Sequence, residues 1–402
     1  MKEIHLGRYR HFAIMSATLV LMFGLLSSAR ATWKTLVDGT AFNSVSAFTA
    51  AYNYNYPWGD THNGSAKMFS TNISFSGGTA TIQSIPVSGQ GSIHYYSGTF
   101  YLKNSVTVDA NHPLWDVSCQ AEVPTATGTW PAFWMTGVNS WPPESDVMEF
   151  KGSSTCWQNT YNGTWQSTGT AVSGAGSSFH TYRVVAVMIN STTVDFHYFI
   201  DGKQCATASQ TGFVGAPMWV IFDYQMEGSS GTPGPTTTTH TLVKNIVIKY
   251  EDVTGVAAGA IANGTYKLTA RNSGLVLDVT NTIPTEPSYL EQFGYWGGVN
   301  QQWTFTHLGG NVYSMISRYS GRCVDVYGNS TSQGARLDAW DYLGQSNQHW
   351  TAAATSGGYY TFTANNSGMV MDVSGGSGSA GAAVIQWPGN GGSNQQWAPQ
   401  SP

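Results

Sequence analysis

Three carboxylates within six residues are the first feature of this sequence that could do chemistry. They are Glu144, Asp146 and Glu149, in the otherwise apolar segment 144–150. On a regular β-strand alternate side chains share a face, so Glu144 and Asp146 would lie together while Glu149 points away. A β-bulge near Met148 would insert one extra residue and return Glu149 to their face. Because crowded like charges cost stability, we expect the cluster to serve a chemical purpose.

Tryptophans accompany this cluster. Trp130 and Trp134 alternate onto one face of a strand, and Trp141 lies just before the acids. Tryptophan rings offer large, flat apolar surfaces to a ligand, so we expect all three to line a substrate cleft. The alternative is that they belong to the core of a large β-sandwich, and Trp134 is the strongest cleft candidate. The aromatic segment 52–58 is a candidate loop at the cleft edge.

The pattern Trp-Pro-Ala-Phe-Trp at 130–134, followed by Glu-x-Asp-x-x-Glu at 144–149, resembles glycoside hydrolase family 16, the group of laminarinases, agarases and carrageenases. The resemblance implies a jelly-roll β-sandwich of the concanavalin A-like type, in the bulged branch of the family. Further landmarks fit the same order along the chain: 94–98, 179–182 and 219–228. Two departures, Ala186 in place of Trp and Ser145 in place of Ile, weaken any inference about the substrate.

The resemblance also implies a role for each acid. Glu144 would be the nucleophile and Glu149 the general acid/base, because the leaving oxygen needs a proton while the anomeric carbon needs a nucleophile. Asp146 would hydrogen-bond Glu144 and raise the pKa of the neighbouring carboxyls by like charge. Two carboxyls about 5 to 5.5 Å apart give retention of configuration.

The last third of the chain repeats at a spacing of 47 residues. Each unit has a Tyr, a Ser-Gly turn, an Asp-Val pair and a closing Asn-Gln-x-Trp, the last at 300–303, 347–350 and 394–397. Three equal all-β units that cannot each bury a core predict a threefold closed assembly. We predict that Trp303, Trp350 and Trp397 form its core.

These units resemble the ricin-type β-trefoil lectin and carbohydrate-binding family. The resemblance implies that an Asp, a midway aromatic residue and the motif Asn of each unit bind a sugar. The three sets are Asp278, Phe293 and Asn300; Asp325, Trp340 and Asn347; and Asp372, Trp387 and Asn394. An acceptor, a flat ring and an amide suit the polar rim and apolar face of a sugar. The alternative is that the Asp–Asn pairs are structural turns, and Phe293 makes the first unit the weakest candidate.

Composition sets the fold class and the domain organisation. Charged residues make up 10% of the chain and there are 46 glycines, which favours an all-β, turn-rich protein. Basic residues, an apolar run and Ala29-Arg30-Ala31 are typical of an export signal, with an uncleaved anchor as the alternative. We predict a signal peptide at 1–31, a sandwich at 32–253, a linker at 254–262 and a β-trefoil at 263–402.

Several partners are excluded by composition. The net charge of −5 and the lack of basic runs argue against nucleic acid, and against membrane binding once the signal is removed. The scattered His and Cys residues predict no metal and no cofactor. We expect at most one disulfide among Cys119, Cys156 and Cys205, and a buried Cys323.

The sequence therefore predicts a secreted, monomeric, retaining endo-glycosidase acting on a β-linked polysaccharide. A β-1,3-glucan of the laminarin type ranks first, and a β-galactan of the agarase or carrageenase type is the alternative. A non-catalytic lectin or adhesin is a further alternative, although a purely binding sandwich has no need of the acid cluster. Transglycosylation, in which a sugar hydroxyl replaces water, also remains open.

Overall fold

The computed structural model describes residues 29–280 and 287–402. The predicted signal peptide lies outside the described residues except for its last three positions. The regular structure of the described chain is mainly β-strand and falls into two halves, which meet in the segment between Asp252 and Gly264. The predicted all-β class is confirmed.

The first half contains seventeen strands within the described residues and one short helix, α1 (Val45–Ala51), whose N-cap is Ser44. The strands are β1 (Thr32–Asp38), β2 (Tyr52–Tyr54), β3 (Ala66–Met68), β4 (Ile73–Ser76), β5 (Thr79–Gln90), β6 (Ile93–Ser97), β7 (Thr99–Leu102), β8 (Leu114–Glu122), β9 (Thr129–Gly137), β10 (Glu144–Phe150), β11 (Thr155–Tyr161), β12 (Trp165–Ala171), β13 (His180–Met188), β14 (Thr193–Ile200), β15 (Lys203–Thr211), β16 (Met218–Met226) and β17 (Thr239–Asp252).

These strands form two sheets packed face to face. One has the order β15-β14-β13-β8-β17-β5-β6-β3, with β1 and β4 attached, and the other has the order β12-β11-β10-β9-β16-β7-β2. Between them lies one apolar core that contains Val117 and Val184 from the first sheet and Phe133, Phe150 and Phe222 from the second. Because side chains alternate along a strand, the even-numbered residues of β9 point away from this core, toward the open face of the second sheet.

The second half contains twelve strands among the described residues, joined in one sheet. They are β18 (Gly264–Ala270), β19 (Val276–Val279), β20 (Ser288–Phe293), β21 (Trp303–Gly309), β22 (Val312–Ser317), β23 (Cys323–Val326), β24 (Leu337–Trp340), β25 (Trp350–Ala354), β26 (Tyr360–Ala364), β27 (Val370–Val373), β28 (Ala382–Trp387) and β29 (Trp397–Gln400).

The three motif tryptophans lie at the centre of this half. Trp303, Trp350 and Trp397 are fully buried, and each indole Nε1 donates to a backbone carbonyl 26 residues earlier in its own unit. The same contact made three times is what a threefold assembly requires, and the predicted core role is confirmed. This core is separate from that of the sandwich.

Short 3-10 helices mark the turns. One precedes each motif tryptophan and carries the motif Asn: Val299–Gln301, Ser346–Gln348 and Ser393–Gln395. The others are Ala41–Asn43, Ser70–Asn72, Gly228–Ser230, Tyr327–Asn329, Ser356–Gly358 and Ser374–Gly376.

A third apolar cluster joins the two halves. Leu114, Val185 and Phe199 of the sandwich pack with Ile316 and Tyr342 of the trefoil. Ion pairs flank the cluster, from Arg183 to Asp341 and from Arg318 to Asp195. The two halves are therefore joined by the segment predicted as a linker and also by a packed interface between the sandwich and the second trefoil unit.

The four cysteines all lie in the described part of the chain and are free thiols, including the three among which at most one disulfide was expected. Cys323 is buried as predicted, and it belongs to the cluster between the halves. Among residues 29–280 and 287–402 there is no helix of the length and apolarity needed to cross a membrane.

Candidate active site and sugar-binding sites

A β-bulge in β10 brings the three acids onto one face. Glu144 pairs with Thr136 of β9, Asp146 with Trp134 and Glu149 with Ala132, and the register shifts between Asp146 and Met148. The β9 partners are all even-numbered, so the three carboxyls share the open face of the sheet. The predicted bulge is present, one residue before Met148.

Glu149 is held by three donors. Trp130 Nε1 donates to Oε1 at 2.7 Å, Asn159 Nδ2 donates to Oε2 at 2.9 Å, and Lys151 Nζ lies 2.8 Å from Oε2. Glu149 is only 7% exposed, so this carboxylate is anchored by protein groups rather than by solvent. Its position is fixed by an indole, an amide and an ammonium group together.

Asp146 and Glu144 are less exposed to water than ordinary carboxyls, and this burial raises their pKa values. Burial, followed by repulsion from Glu149 and Glu144, raises the pKa of Asp146 well above its usual range. Burial also raises the pKa of Glu144 to about 7, against the opposing hydrogen bond from Trp141 Nε1 at 2.8 Å. Asp146 accepts a hydrogen bond from Asn159 at 2.8 Å, in place of the bond to Glu144 that the resemblance implied. The cluster can therefore hold a proton near neutral pH.

The acids lie in a cleft of about 810 Å³. All three predicted tryptophans line it, and so do the acids themselves: Trp130, Trp134, Trp141, Glu144, Asp146 and Glu149. Trp134 is 5% exposed and Trp141 is 58% exposed, so one is part of the wall and the other stands at the rim. Ser145, which departs from the family pattern, faces away and shares a hydrogen bond with Tyr198 Oη at 2.8 Å.

Aromatic side chains extend the cleft on both sides of the acids. On one side Trp141, Tyr161 and Trp165 form a continuous stack with ring centroids 4.9 and 4.5 Å apart. On the other side Trp58 stacks on Tyr56 and approaches the edge of Trp134. Aromatic surfaces on both sides of the acids can bind a long ligand on both sides of the reacting bond. This arrangement suits a polymer bound along its length rather than at its end.

Three residues that line the cleft or bind its acids were not predicted from the sequence: Asn159, Lys151 and Asp223. Lys151 lies two residues after Glu149, so its spacing offered a signal. Asn159 and Asp223 come from β11 and β16, and only strand pairing brings them to the acids. No pattern in the linear sequence connects them with the cluster.

In the trefoil each predicted Asp–Asn pair is joined directly. Asn300 donates to Asp278 at 3.1 Å, Asn347 to Asp325 at 2.8 Å, and Asn394 to Asp372 at 2.9 Å. Burial raises the pKa of Asp278 to about 6 and that of Asp325 to about 7. The aromatic partners Phe293, Trp340 and Trp387 are each at least partly exposed. Each unit thus carries the three predicted groups, and the first adds exposed Trp296.

The second unit differs from the other two because its loop packs on the sandwich. Tyr342 is 3% exposed, stacks edge-on against Trp33 with centroids 5.1 Å apart, and donates to Glu251 at 2.9 Å. Asn347 is buried, whereas Asn300 and Asn394 are partly exposed. The equivalent positions of the first and third units are Tyr295, which is exposed, and Gly389.

The cleft geometry agrees with a comparison of the whole sequence with curated proteins. The chain is similar to a galactan endo-β-1,3-galactanase from Flammulina velutipes, with 38% identity over 218 residues that cover 51% of this chain and 87% of that protein. The chain belongs to glycoside hydrolase family 16. As a family 16 protein with its acid cluster in place, it is an endo-glycosidase that hydrolyses O-glycosyl bonds.

The second half of this family 16 protein matches the model of the ricin-type beta-trefoil lectin domain-like family at residues 256–340 and 346–401. The designed threefold-symmetric protein ThreeFoil is 42% identical, covering 34% of this chain and 98% of its own, with a TM-score of 0.34. The endo-1,3-beta-glucanase of Streptomyces sioyaensis is 23% identical, covering 55% and 96%, with a TM-score of 0.46. The predicted pairing of a family 16 domain with a carbohydrate-binding trefoil is confirmed.

Proposed function

We propose that this protein is a secreted, retaining endo-hydrolase of β-1,3-linked galactan, and that its trefoil holds it on the polymer. The observation that carries the proposal is the placement of Glu144, Asp146 and Glu149 on one cleft face. The Flammulina relative supports the galactan, since it is named for that substrate and aligns over most of its length. This reverses the order expected from the sequence, in which β-1,3-glucan ranked first.

In the first step Glu149 gives its proton to the leaving glycosidic oxygen while the Glu144 carboxylate attacks the anomeric carbon. The C–O bond to the leaving sugar breaks and an ester to Glu144 forms. The N–H groups of Trp130, Asn159 and Lys151 stabilise the carboxylate that Glu149 becomes. Asp146, whose pKa is raised well above its usual range by burial and by the neighbouring glutamates, can hold a proton between the nucleophile and the acid.

In the second step Glu149 takes a proton from water, whose oxygen attacks the anomeric carbon and displaces Glu144. Two displacements on the same carbon restore the original configuration. The cluster then regains its starting charge. A sugar hydroxyl in place of water would give transglycosylation through the same atoms.

A β-1,3-glucan of the laminarin type is the second candidate substrate, because the motifs at 130–134 and 144–149 resemble those of a family that includes laminarinases. A product assay on β-1,3-galactan, laminarin, mixed-linkage glucan, agarose and carrageenan tests both. We expect short oligosaccharides from β-1,3-galactan with wild type, and release slower by about 10²- to 10⁴-fold with Glu149→Gln. Products from laminarin alone would reject the galactan and favour the glucan.

The proposed role of the trefoil in holding the enzyme on the polymer depends on how many sugar sites the trefoil carries. Two or more weak sugar sites on one chain make the meeting of cleft and polymer intramolecular, which raises the effective concentration of substrate. Because the second unit packs on the sandwich, we expect the first and third units to contribute most of the retention on insoluble glycan. We further propose that the protein is exported and acts as a monomer, which the molecular mass in culture supernatant and in solution would test.

A further inference from the structure

The trefoil is docked on the face of the sandwich that lies opposite the cleft. Along β13, Val184 points into the sandwich core, whereas its neighbour Val185 packs with the trefoil. Along β14, Tyr198 points into the core and Phe199 packs with the trefoil. Because successive side chains of a strand point to opposite faces, the trefoil covers the outer face of the first sheet. The cleft is on the outer face of the second sheet.

The whole thickness of the sandwich therefore separates the trefoil from the acids. Two packed sheets lie about 10 Å apart, and the side chains on their outer faces add to that distance. The residues that line the cleft begin at Trp58 and end at Ser229, so all of them belong to the sandwich. Within residues 29–280 and 287–402, the trefoil contributes no side chain to the cleft lining.

Glycines at threefold-related positions show which trefoil loops the sandwich covers. In the second unit, a methyl group added to Gly344 would lie 2.6 Å from Trp33 Cβ. The related glycines of the first and third units are Gly297 and Gly391, just before the motif Asn of each unit. A methyl group added there would meet no described atom within 4 Å. The sandwich therefore covers this loop in the second unit and leaves it open in the other two.

The Ser-Gly turns show the same contrast. A methyl group added to Gly321 of the second unit would lie 2.7 Å from the ring of His197 on β14, so this turn rests directly on the sandwich. At the related Gly274 and Gly368, an added methyl would have no neighbour within 4 Å in the described part of the chain. The second unit is thus the docking unit, and the sites of the first and third units face solvent.

Charged hydrogen bonds hold this docking in one orientation. Arg183 of β13 donates to Asp116 at 2.8 Å within the sandwich, and it also donates to Asp341 of the trefoil at 2.5 Å. Arg318 of the trefoil donates to Asp195 of β14 at 2.8 Å. Such bonds at two separate points fix the orientation of two surfaces as well as their contact. The open trefoil sites therefore keep one direction relative to the cleft.

We propose that the protein binds two polysaccharide chains at once, holding one with the first and third trefoil units and cutting the other in its cleft. One chain fills both regions only by turning around the edge of the sandwich. Two neighbouring chains of an insoluble polymer can instead pass along its two faces. The inference rests on the proposed function in taking a polysaccharide as the ligand of both regions, and it adds that the held chain is not the chain that is cut.

The arrangement suits a dense polymer in which chains lie side by side. A cut in the cleft does not release the chain that the trefoil holds, so the protein stays anchored while it opens the chains next to it. On isolated soluble chains the trefoil gives no gain, because the held chain brings no second chain close to the cleft. The partner of the open trefoil surface is therefore a second chain beside the substrate.

Energy transfer between two labelled chains tests whether one protein molecule holds both. The protein is the full chain with Glu149→Gln, which slows cleavage, and with Asp278→Ala and Asp325→Ala, which leave the third unit as the intact trefoil site. Soluble β-1,3-galactan chains long enough to turn around the sandwich carry donor or acceptor dyes along their length. We expect energy transfer between chains when chains outnumber protein, and its loss when protein is in large excess.

Removal of either site should abolish the transfer. Asp372→Ala in addition leaves the cleft alone, and Trp141→Ala in addition weakens the cleft and leaves the third unit. Glu122→Ala is the matched control, because it removes a partly exposed carboxyl of β8 outside the cleft lining. The control should leave the transfer unchanged, and thermal unfolding would verify that every variant is folded.

The affinity for one isolated chain gives the opposing outcome. If the cleft and the trefoil bound the same chain, the protein with both sites would bind sparsely immobilised chains at least about tenfold more tightly than either one-site variant. That gain without energy transfer would overturn the proposal. Energy transfer unchanged by Asp372→Ala, or binding by the cleft alone, would overturn it too.

Failure of the proposed substrate has a different signature. If wild type does not cleave β-1,3-galactan and the variants do not bind it, the galactan assignment fails. The labelled chains are then those of whichever polysaccharide the wild type cleaves, and the same comparison of one-site and two-site proteins decides the two-chain proposal.

Discussion

The cleft and the trefoil both contain buried carboxyls, but the two regions pair these carboxyls with asparagine side chains in different ways. In both, a buried carboxyl accepts a hydrogen bond from an asparagine amide. In the trefoil each Asp has an Asn of its own, as with Asp325 and Asn347. In the cleft the single amide of Asn159 serves both Asp146 and Glu149. Burial raises carboxyl pKa values in both regions, but the cleft gathers three acids around one open space, which makes proton transfer available for chemistry.

The largest effect should come from removing the nucleophile. Glu144→Ala should abolish hydrolysis of polysaccharide, a loss beyond the about 10²- to 10⁴-fold that an acid/base group contributes. Azide should fill the space and restore cleavage of an activated substrate, with the glycosyl azide in the inverted configuration. Absence of rescue by azide or formate, in a folded variant, would contradict the role of Glu144.

Glu149→Gln should come next. It keeps the shape but removes the proton donor, so kcat on unactivated polymer should fall about 10²- to 10⁴-fold while oligosaccharide binding persists. Asp372→Asn is the matched change in the trefoil and should leave turnover of soluble substrate intact. With Glu149→Ala, azide should give a product of retained configuration; an inverted product would exchange the roles of the two glutamates.

The pH dependence of activity should give an effect of intermediate size and should distinguish the cleft carboxyls from those of the trefoil. Glu144 must be ionised to attack, and its pKa is raised to about 7, so kcat/KM should fall about tenfold per pH unit as the pH drops below 7. Asp325 has a similarly raised pKa, yet Asp325→Asn should leave this acidic limb in place. A pH–rate profile that is flat between pH 5 and 7 would contradict the assignment.

Stability should move in the opposite direction to activity. A carboxyl whose pKa is higher in the folded state contributes stability that is fully present below its unfolded pKa and lost as the pH rises through the folded value. For Glu144 that window runs from 4.5 to about 7. Glu144→Gln should therefore raise the unfolding midpoint relative to wild type more at pH 8 than at pH 4.5, and an equal change at both would refute this account.

The smallest effects should come from single trefoil sites. Asp372→Ala should lower retention on insoluble glycan a few-fold, since each site is weak and retention comes from several acting together. Asp325→Ala should lower it less, because the neighbouring loop packs on the sandwich through Tyr342. Pull-down assays on insoluble glycan, with each trefoil change made in the Glu149→Gln variant, measure retention without hydrolysis of the glycan. A larger loss for Asp325→Ala would show that the docked unit is the main sugar site.

The linear sequence was sufficient for the parts whose signal is local or repeated. The spacing of Glu144, Asp146 and Glu149 indicated a bulge, because only an extra residue could return the last acid to the common face. The repeat of 47 residues predicted a threefold core on Trp303, Trp350 and Trp397, since equal units that cannot fold alone must share one centre.

Contacts between segments that are far apart in the sequence were decided by the tertiary structure alone. Asn159 and Asp223 reach the acids through strand pairing, and β16 follows β9 by some eighty residues of chain. The docking of the second trefoil unit through Tyr342 and Trp33 depends on two separately folded surfaces meeting. The sequence by itself determined the reaction chemistry and the number of units, because those follow from residue type and local period. Which amide serves two acids, and which trefoil unit faces the sandwich, depended on contacts between strands that the linear order does not encode.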